Sequence, residues 1–162
     1  MNTALSSGLK AGEDAKDAKD SRRALKEVKT EIQKGKQDFS DDFSHDIIGA
    51  AVEVQRVLGV GLLESAYAGA LAVELTSRAL RFERERAITA SYKGQNLGIV
   101  YRADFVVEER VIVELKATDD VADVHRAQLL SYLRLSGLKI GLLINFHAFP
   151  VVKGIYRMVN KL

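Results

Sequence analysis

Tyr101-Arg102-Ala103-Asp104-Phe105-Val106-Val107, then Glu108-Glu109-Arg110, then Val111-Ile112-Val113-Glu114-Leu115-Lys116 is the stretch on which the fold turns. Two runs rich in β-branched and aromatic residues flank a polar triplet, the pattern of an antiparallel hairpin. With the triplet as the loop, Val107 faces Val111, Phe105 faces Val113 and Asp104 faces Glu114, with opposed Cβ atoms roughly 4.5–5.5 Å apart. Because side chains alternate along a strand, Lys116 lies on the face of Glu114, while Val113 and Leu115 point the other way into a core. Like charges placed opposite one another repel, so Asp104 and Glu114 call for a compensating cation. A divalent metal supplies one.

Outward from this hairpin the chain keeps an α/β rhythm. Upstream, Phe82–Tyr92 and Leu97–Val107 read as strands joined by the turn-forming Lys93-Gly94-Gln95-Asn96. Two helices precede them. The first starts near Ser40, Asp41 and Ser44, carries Ile47, Ile48, Ala51, Val54 and Leu58 at helical spacing, and stops at Gly59. The second runs from Leu62 to about Leu80, with Leu63, Tyr67, Leu71 and Leu75 on its apolar side. Downstream, Asp119-Asp120 offers a cap for a helix from Val121 to about Leu135 that Gly137 ends. A buried strand, Ile140–Phe146, and a last strand, Gly154–Val159, follow. The strand–helix–strand connection from Val111–Lys116 to Ile140–Phe146 is a crossover, which predicts a parallel pair in a mixed sheet flanked by helices.

Residues 1–39 have a different composition. They are rich in Lys, Asp, Ala and Ser, include the near-repeat Asp14-Ala15-Lys16-Asp17-Ala18-Lys19-Asp20, and bring few large apolar side chains beyond Leu25, Val28 and Ile32. The expectation is a charged arm, flexible or marginally helical, that can dock on a protein partner or a second copy. Residues 40–162 then form one domain.

Bulk properties exclude more than they assign. A net charge of +2 places any polyanion-binding surface in a local patch. The absence of cysteine removes disulfides, thiolate catalysis and Cys-type zinc sites. No apolar run approaches the ~20 residues that span a bilayer, and the first residues lack the order of a signal peptide, so the expectation is a soluble, cytoplasmic chain with no membrane partner. Gly59-Val60-Gly61 sits between helices, which fails the structural condition for a dinucleotide or phosphate loop. No metalloprotease HExxH or nucleophile-elbow serine is present.

Four motifs occur in order: Gly61-Leu62-Leu63-Glu64-Ser65-Ala66-Tyr67, Tyr101-Arg102-Ala103-Asp104, Glu114-Leu115-Lys116 and Gln128-Leu129-Leu130-Ser131-Tyr132. Together they resemble the GxxExxY family, a branch of the PD-(D/E)xK nuclease superfamily, over roughly residues 44–160. The resemblance implies a restriction-endonuclease-like α/β core and Mg²⁺-dependent phosphodiester cleavage, with Mn²⁺ as a substitute and DNA favoured over RNA. It implies Glu64, Asp104 and Glu114 as metal ligands and Lys116 beside the scissile phosphate, orienting or helping deprotonate the attacking water. Gln128 and Tyr132 enter as organisers of the site. An acidic residue at Glu64 is equally what the macrodipole of a first helical turn favours, and Tyr132 is equally a core aromatic. His125, on the stripe of Gln128 and Tyr132, and Arg102, two residues before Asp104, are candidate phosphate contacts. The alternative is a nuclease fold without turnover that binds nucleic acid or a protein.

Overall fold

The computed structural model describes residues 42–161, so the expected arm at 1–39 lies outside the described residues. Helices α1 (Ser44–Leu58) and α2 (Glu64–Ser77) precede strands β1 (Phe82–Tyr92), β2 (Gln95–Val107) and β3 (Val111–Lys116). Helix α3 (Asp123–Ser136), strand β4 (Ile140–Asn145), a 3₁₀ turn (Val151–Gly154) and strand β5 (Ile155–Val159) complete the order. The five strands form one mixed sheet in the order β1-β2-β3-β4-β5. β3 and β4 are parallel, in register from Val111 opposite Ile140 to Lys116 opposite Asn145, and the other neighbours are antiparallel. The crossover expected from the sequence is therefore present, with α3 as its helix.

β3 and β4 are buried along almost their whole length, and apolar but for Glu114, Lys116 and Asn145, because both sheet faces are covered. On one face Leu129, Tyr132 and Leu133 of α3 pack with Ile88, Val106, Ile112 and Leu143. Gly141 permits this approach: a Cβ there would stand 2.9 Å from Leu129. The alternate side chains Val113 and Leu115 are also fully buried, and α2 packs against β3. At the far end of α1, buried Gln55 donates through Nε2 to the carbonyls of Phe146 (3.0 Å) and Ala148 (2.8 Å) and accepts from Val151 N–H (2.6 Å). Leucine at position 55 would leave three backbone groups unpaired. Gln55→Leu is expected to cost about 3 kcal/mol or more, read from the urea midpoint.

Several boundaries differ from the sequence expectation for identifiable reasons. The β1–β2 turn is Lys93-Gly94 alone, both at positive φ (49° and 79°), so Tyr92 pairs with Gln95 and the strand starts two residues before Leu97. α2 begins at Glu64 and ends at Ser77, short of Leu80, because Ala79 turns left-handed (φ 57°) and Leu80 N–H reaches back to Leu75. Asp119-Asp120 does not cap α3. Thr118 Oγ1 bonds the Asp120 carbonyl at 2.8 Å, and the helix starts at Asp123 behind Ala122, with no side-chain cap. No helix among the described residues is long and apolar enough to cross a membrane.

Candidate active site

The hairpin expected at residues 101–116 forms, with Val107 opposite Val111 and Phe105 opposite Val113. Beyond that pair the ladder stops. Asp104 and Glu114 do not exchange backbone bonds; instead Asp104 Oδ2 accepts the Leu115 N–H at 2.7 Å. The adjoining ladder to β1 likewise omits Asp104, whose expected partner Glu85 has a left-handed backbone (φ 52°). Such a conformation costs a non-glycine residue roughly 1–2 kcal/mol. It coincides with a break in side-chain alternation, since Ala103 and Val106 both enter the α3 cluster. Asp104 thus sits at an irregularity that frees its carboxylate from regular pairing.

Glu114 is buried on β3, and its Oε1 accepts from Lys116 Nζ at 2.9 Å, as alternation predicts for residues two apart. Nζ also donates to the Leu115 carbonyl at 2.8 Å. The other oxygen, Glu114 Oε2, is buried with no hydrogen-bond partner. A buried carboxylate oxygen without a donor is costly unless protonated or bound to a cation. Burial, the charges of Asp104 and Glu64, and only partial relief from Lys116 push the Glu114 carboxyl up to about 7.

Glu64 enters as the first residue of α2, near enough to Ala117, just past the end of β3, for that backbone N–H to favour its charged form slightly. Burial first, then Asp104, raises its pKa against the opposing Lys116 and His125. Asp104 is raised by burial and by Glu85, against the Leu115 N–H and the Lys116 and Arg84 charges. For Lys116, burial works to lower the pKa, but Glu114, Glu64 and Asp104 outweigh it and the ammonium is held protonated. Three carboxylates therefore share one lysine.

From α3, Tyr132 lies beneath the same cluster. Burial and the nearby Glu114 and Asp104 charges push its hydroxyl pKa up, against a smaller opposing effect of the Gln128 side chain, so it stays protonated. Its ring packs on Tyr101, centroids 4.5 Å apart. His125 is close enough to Glu64 to act on its carboxylate, and its Nδ1 is buried without a partner. Arg102 is not drawn in: it is exposed and reaches only the Glu85 carbonyl, at 3.5 Å, while Arg84 is the arginine whose charge bears on Asp104.

Two supports hold these residues, of which the sequence offered Tyr67 as packing or a supporting hydroxyl and did not offer Asn145. Tyr67 is more than packing: its hydroxyl donates to the Gly59 carbonyl (2.9 Å) and accepts from Leu62 N–H (3.3 Å), while its ring stacks on Phe146 at 4.5 Å. That bridge fixes the entry of α2 and hence Glu64. Asn145 exchanges hydrogen bonds with both backbone groups of Thr118 (2.8 and 3.2 Å), setting the path of the chain just after Lys116. Its register position opposite Lys116 was the available signal.

No group of three or more His, Asp or Glu side chains among the described residues converges to hold a metal ion as it stands. The donor set nonetheless fits a hard divalent cation. Its ligand atoms are carboxylate oxygens, three acids face one lysine, and Glu114 Oε2 lacks any partner.

A family model for the PD-(D/E)XK nuclease superfamily matches residues 41–158. No curated protein and no solved structure matches the chain.

Proposed function

The chain belongs to the PD-(D/E)XK nuclease superfamily, and from that premise we propose that it hydrolyses phosphodiester bonds of nucleic acid, DNA in preference to RNA, with Mg²⁺ or Mn²⁺. The spacing of Gly61, Glu64 and Tyr67 supports reading it as a member of the GxxExxY branch of that superfamily. The observation that carries the reading is the buried, half-satisfied Glu114 carboxylate flanked by Asp104, Glu64 and Lys116. Glu64, Asp104 and Glu114 would hold the cation. When bound, it supplies Lewis-acid stabilisation of charge on the phosphoryl oxygens and eases deprotonation of water.

The residues of the chain divide the remaining work. Lys116, kept protonated, is a cation and not a base; once Glu114 Oε1 is engaged elsewhere, its three donors turn to the phosphate and offset charge gathering in the transition state. The role of proton acceptor that the resemblance allowed Lys116 is therefore not part of this proposal. Tyr132, kept protonated, places a neutral group beside Glu114 and Asp104 and adds no charge to theirs. Asp104 is fixed by the Leu115 N–H, so one of its oxygens is anchored while the carboxylate serves the site.

The test is incubation of the full chain with DNA and RNA oligonucleotides in Mg²⁺ or Mn²⁺, with calorimetric titration of Mn²⁺ alongside. Metal binding without cleavage of either would overturn the reading. A fold that binds nucleic acid without turnover is the second reading, favoured by the lack of a convergent ligand group and by the Lys116 contact on Glu114. It requires nucleic-acid binding that is indifferent to divalent cations. Tyr67→Phe supplies an independent check. Losing the hydroxyl bridge is expected to lower stability by about 1 kcal/mol and kcat by roughly tenfold, because a misplaced carboxylate costs that much readily; unchanged kcat would show that the α2 entry does not position Glu64.

A further inference from the structure

Five of the twelve large apolar side chains exposed among the described residues fall within residues 57–63: Val57, Leu58, Val60, Leu62 and Leu63, the last 78% exposed. Scattered apolar residues on a surface need no explanation, but this run is contiguous. Its backbone is also fixed. Gly59 and Gly61 take positive φ (70° and 93°), and the buried Tyr67 hydroxyl bridges Gly59 and Leu62. The loop therefore presents its apolar side chains outward as a rigid ridge.

The ridge ends at the acidic cluster. Leu63 is the N-cap of α2 and Glu64 its first residue, whose carboxylate feels the charges of Lys116 and Asp104. Because Leu63 adjoins Glu64 and Glu64 feels Lys116, a phosphate at Lys116 would have its flanking nucleotides on the side of Leu62 and Leu63. An intact duplex offers phosphates and sugars there, and burying aliphatic groups against charge gains nothing. An unpaired base offers a flat, weakly hydrated face that apolar side chains cover without the unstacking cost that insertion into a duplex carries.

Resting on the nuclease reading, we propose that Val60, Leu62 and Leu63 hold the unpaired bases next to the scissile phosphate, so that the substrate is single-stranded or frayed nucleic acid and not a fully paired duplex. The ridge acts as a specificity surface beside the cleavage site. It contributes apolar contact, independent of salt, to binding whose phosphate component is electrostatic.

The test is fluorescence anisotropy of the full chain with a single-stranded oligonucleotide and with the blunt duplex of the same sequence, in Ca²⁺. The wild type is expected to bind the single strand roughly tenfold or more tighter, the equivalent of one good base contact. Leu62→Ser/Leu63→Ser should erase most of that preference with the salt dependence unchanged, since no phosphate contact is lost. Leu63→Trp, which keeps an apolar face and adds a stacking platform, should strengthen single-strand binding and quench a 2-aminopurine placed beside the cut. Equal binding of strand and duplex by the wild type, or a serine variant that retains the preference, overturns the inference and leaves the nuclease reading standing. So does a serine variant that changes a dimer into a monomer with binding unaltered, because the ridge then belongs to a second copy. Absence of binding to any nucleic acid overturns both.

Discussion

Asp104→Ala is expected to lower divalent-metal-dependent cleavage by on the order of 10³-fold or more while the chain keeps its fold. Asp104 stands where the β2–β3 ladder opens, between Glu114 and Glu64, and its carboxylate is one of three that would hold the cation. The structural cost of removing it is small. The Leu115 N–H loses an acceptor, worth about 1 kcal/mol, and the repulsion that Asp104 exerts on Glu114 disappears in return. Asp104→Asn separates these effects, because it retains an acceptor for Leu115 and removes the charge. Circular dichroism and thermal melts of both variants should resemble the wild type, and both should be inactive on single-stranded and duplex DNA with Mn²⁺. Full cleavage by Asp104→Ala would remove the carboxylate cluster from the mechanism.

What the sequence revealed and what it concealed follow from the range of the interactions involved. The hairpin register, the shared face of Glu114 and Lys116, and the parallel β3–β4 pair were legible because alternation and crossover handedness are local rules. Extrapolating that register by one pair failed at Asp104. Nothing in the composition of β1 announces that Glu85 takes a left-handed backbone, and a side chain, not a main-chain carbonyl, captures the Leu115 N–H. The hairpin loop shows the same limit: Glu108 and Glu109 both have positive φ, held by Arg81 and Arg86, partners 27 and 23 residues away. Tyr67 was readable as an aromatic at core spacing, but its hydroxyl acts on Gly59 and Leu62 across a loop whose path only the two glycines fix. Arg102 keeps regular pairing with Ala87 and is exposed, with its guanidinium reaching the Glu85 carbonyl. The side chains that gather at this sheet edge could thus be named from the sequence, whereas the backbone irregularities that set their positions could not.

The metal-free protein is expected to lose stability as pH rises from about 5 to 8, and Mg²⁺ or Mn²⁺ to restore it most at the alkaline end. In the folded chain the Glu114 carboxyl is raised from 4.5 to about 7, by burial first and then by Asp104 and Glu64. Below the unfolded value both states carry the proton, and above about 7 neither does. Between them the folded chain holds a proton that the unfolded chain has released, so stability falls through that window. At about 1.4 kcal/mol for each tenfold change in proton affinity, the ceiling is about 3 kcal/mol, a melting shift of several degrees for a domain of this size. Asp104 and Glu64, both raised, act in the same direction. A cation at Glu114 competes with that proton, so its stabilisation grows with pH, and cleavage should rise with pH over the same interval. Glu114→Gln is isosteric and uncharged; it should flatten the pH dependence in EDTA, make the domain more stable than wild type at pH 8, and abolish the response to Mn²⁺. Melting curves in EDTA that do not change between pH 5 and 8, or a Mn²⁺ effect larger at pH 5.5 than at pH 8, would contradict this account. The acids that would cut nucleic acid would then be neither short of charge compensation nor the site of metal binding.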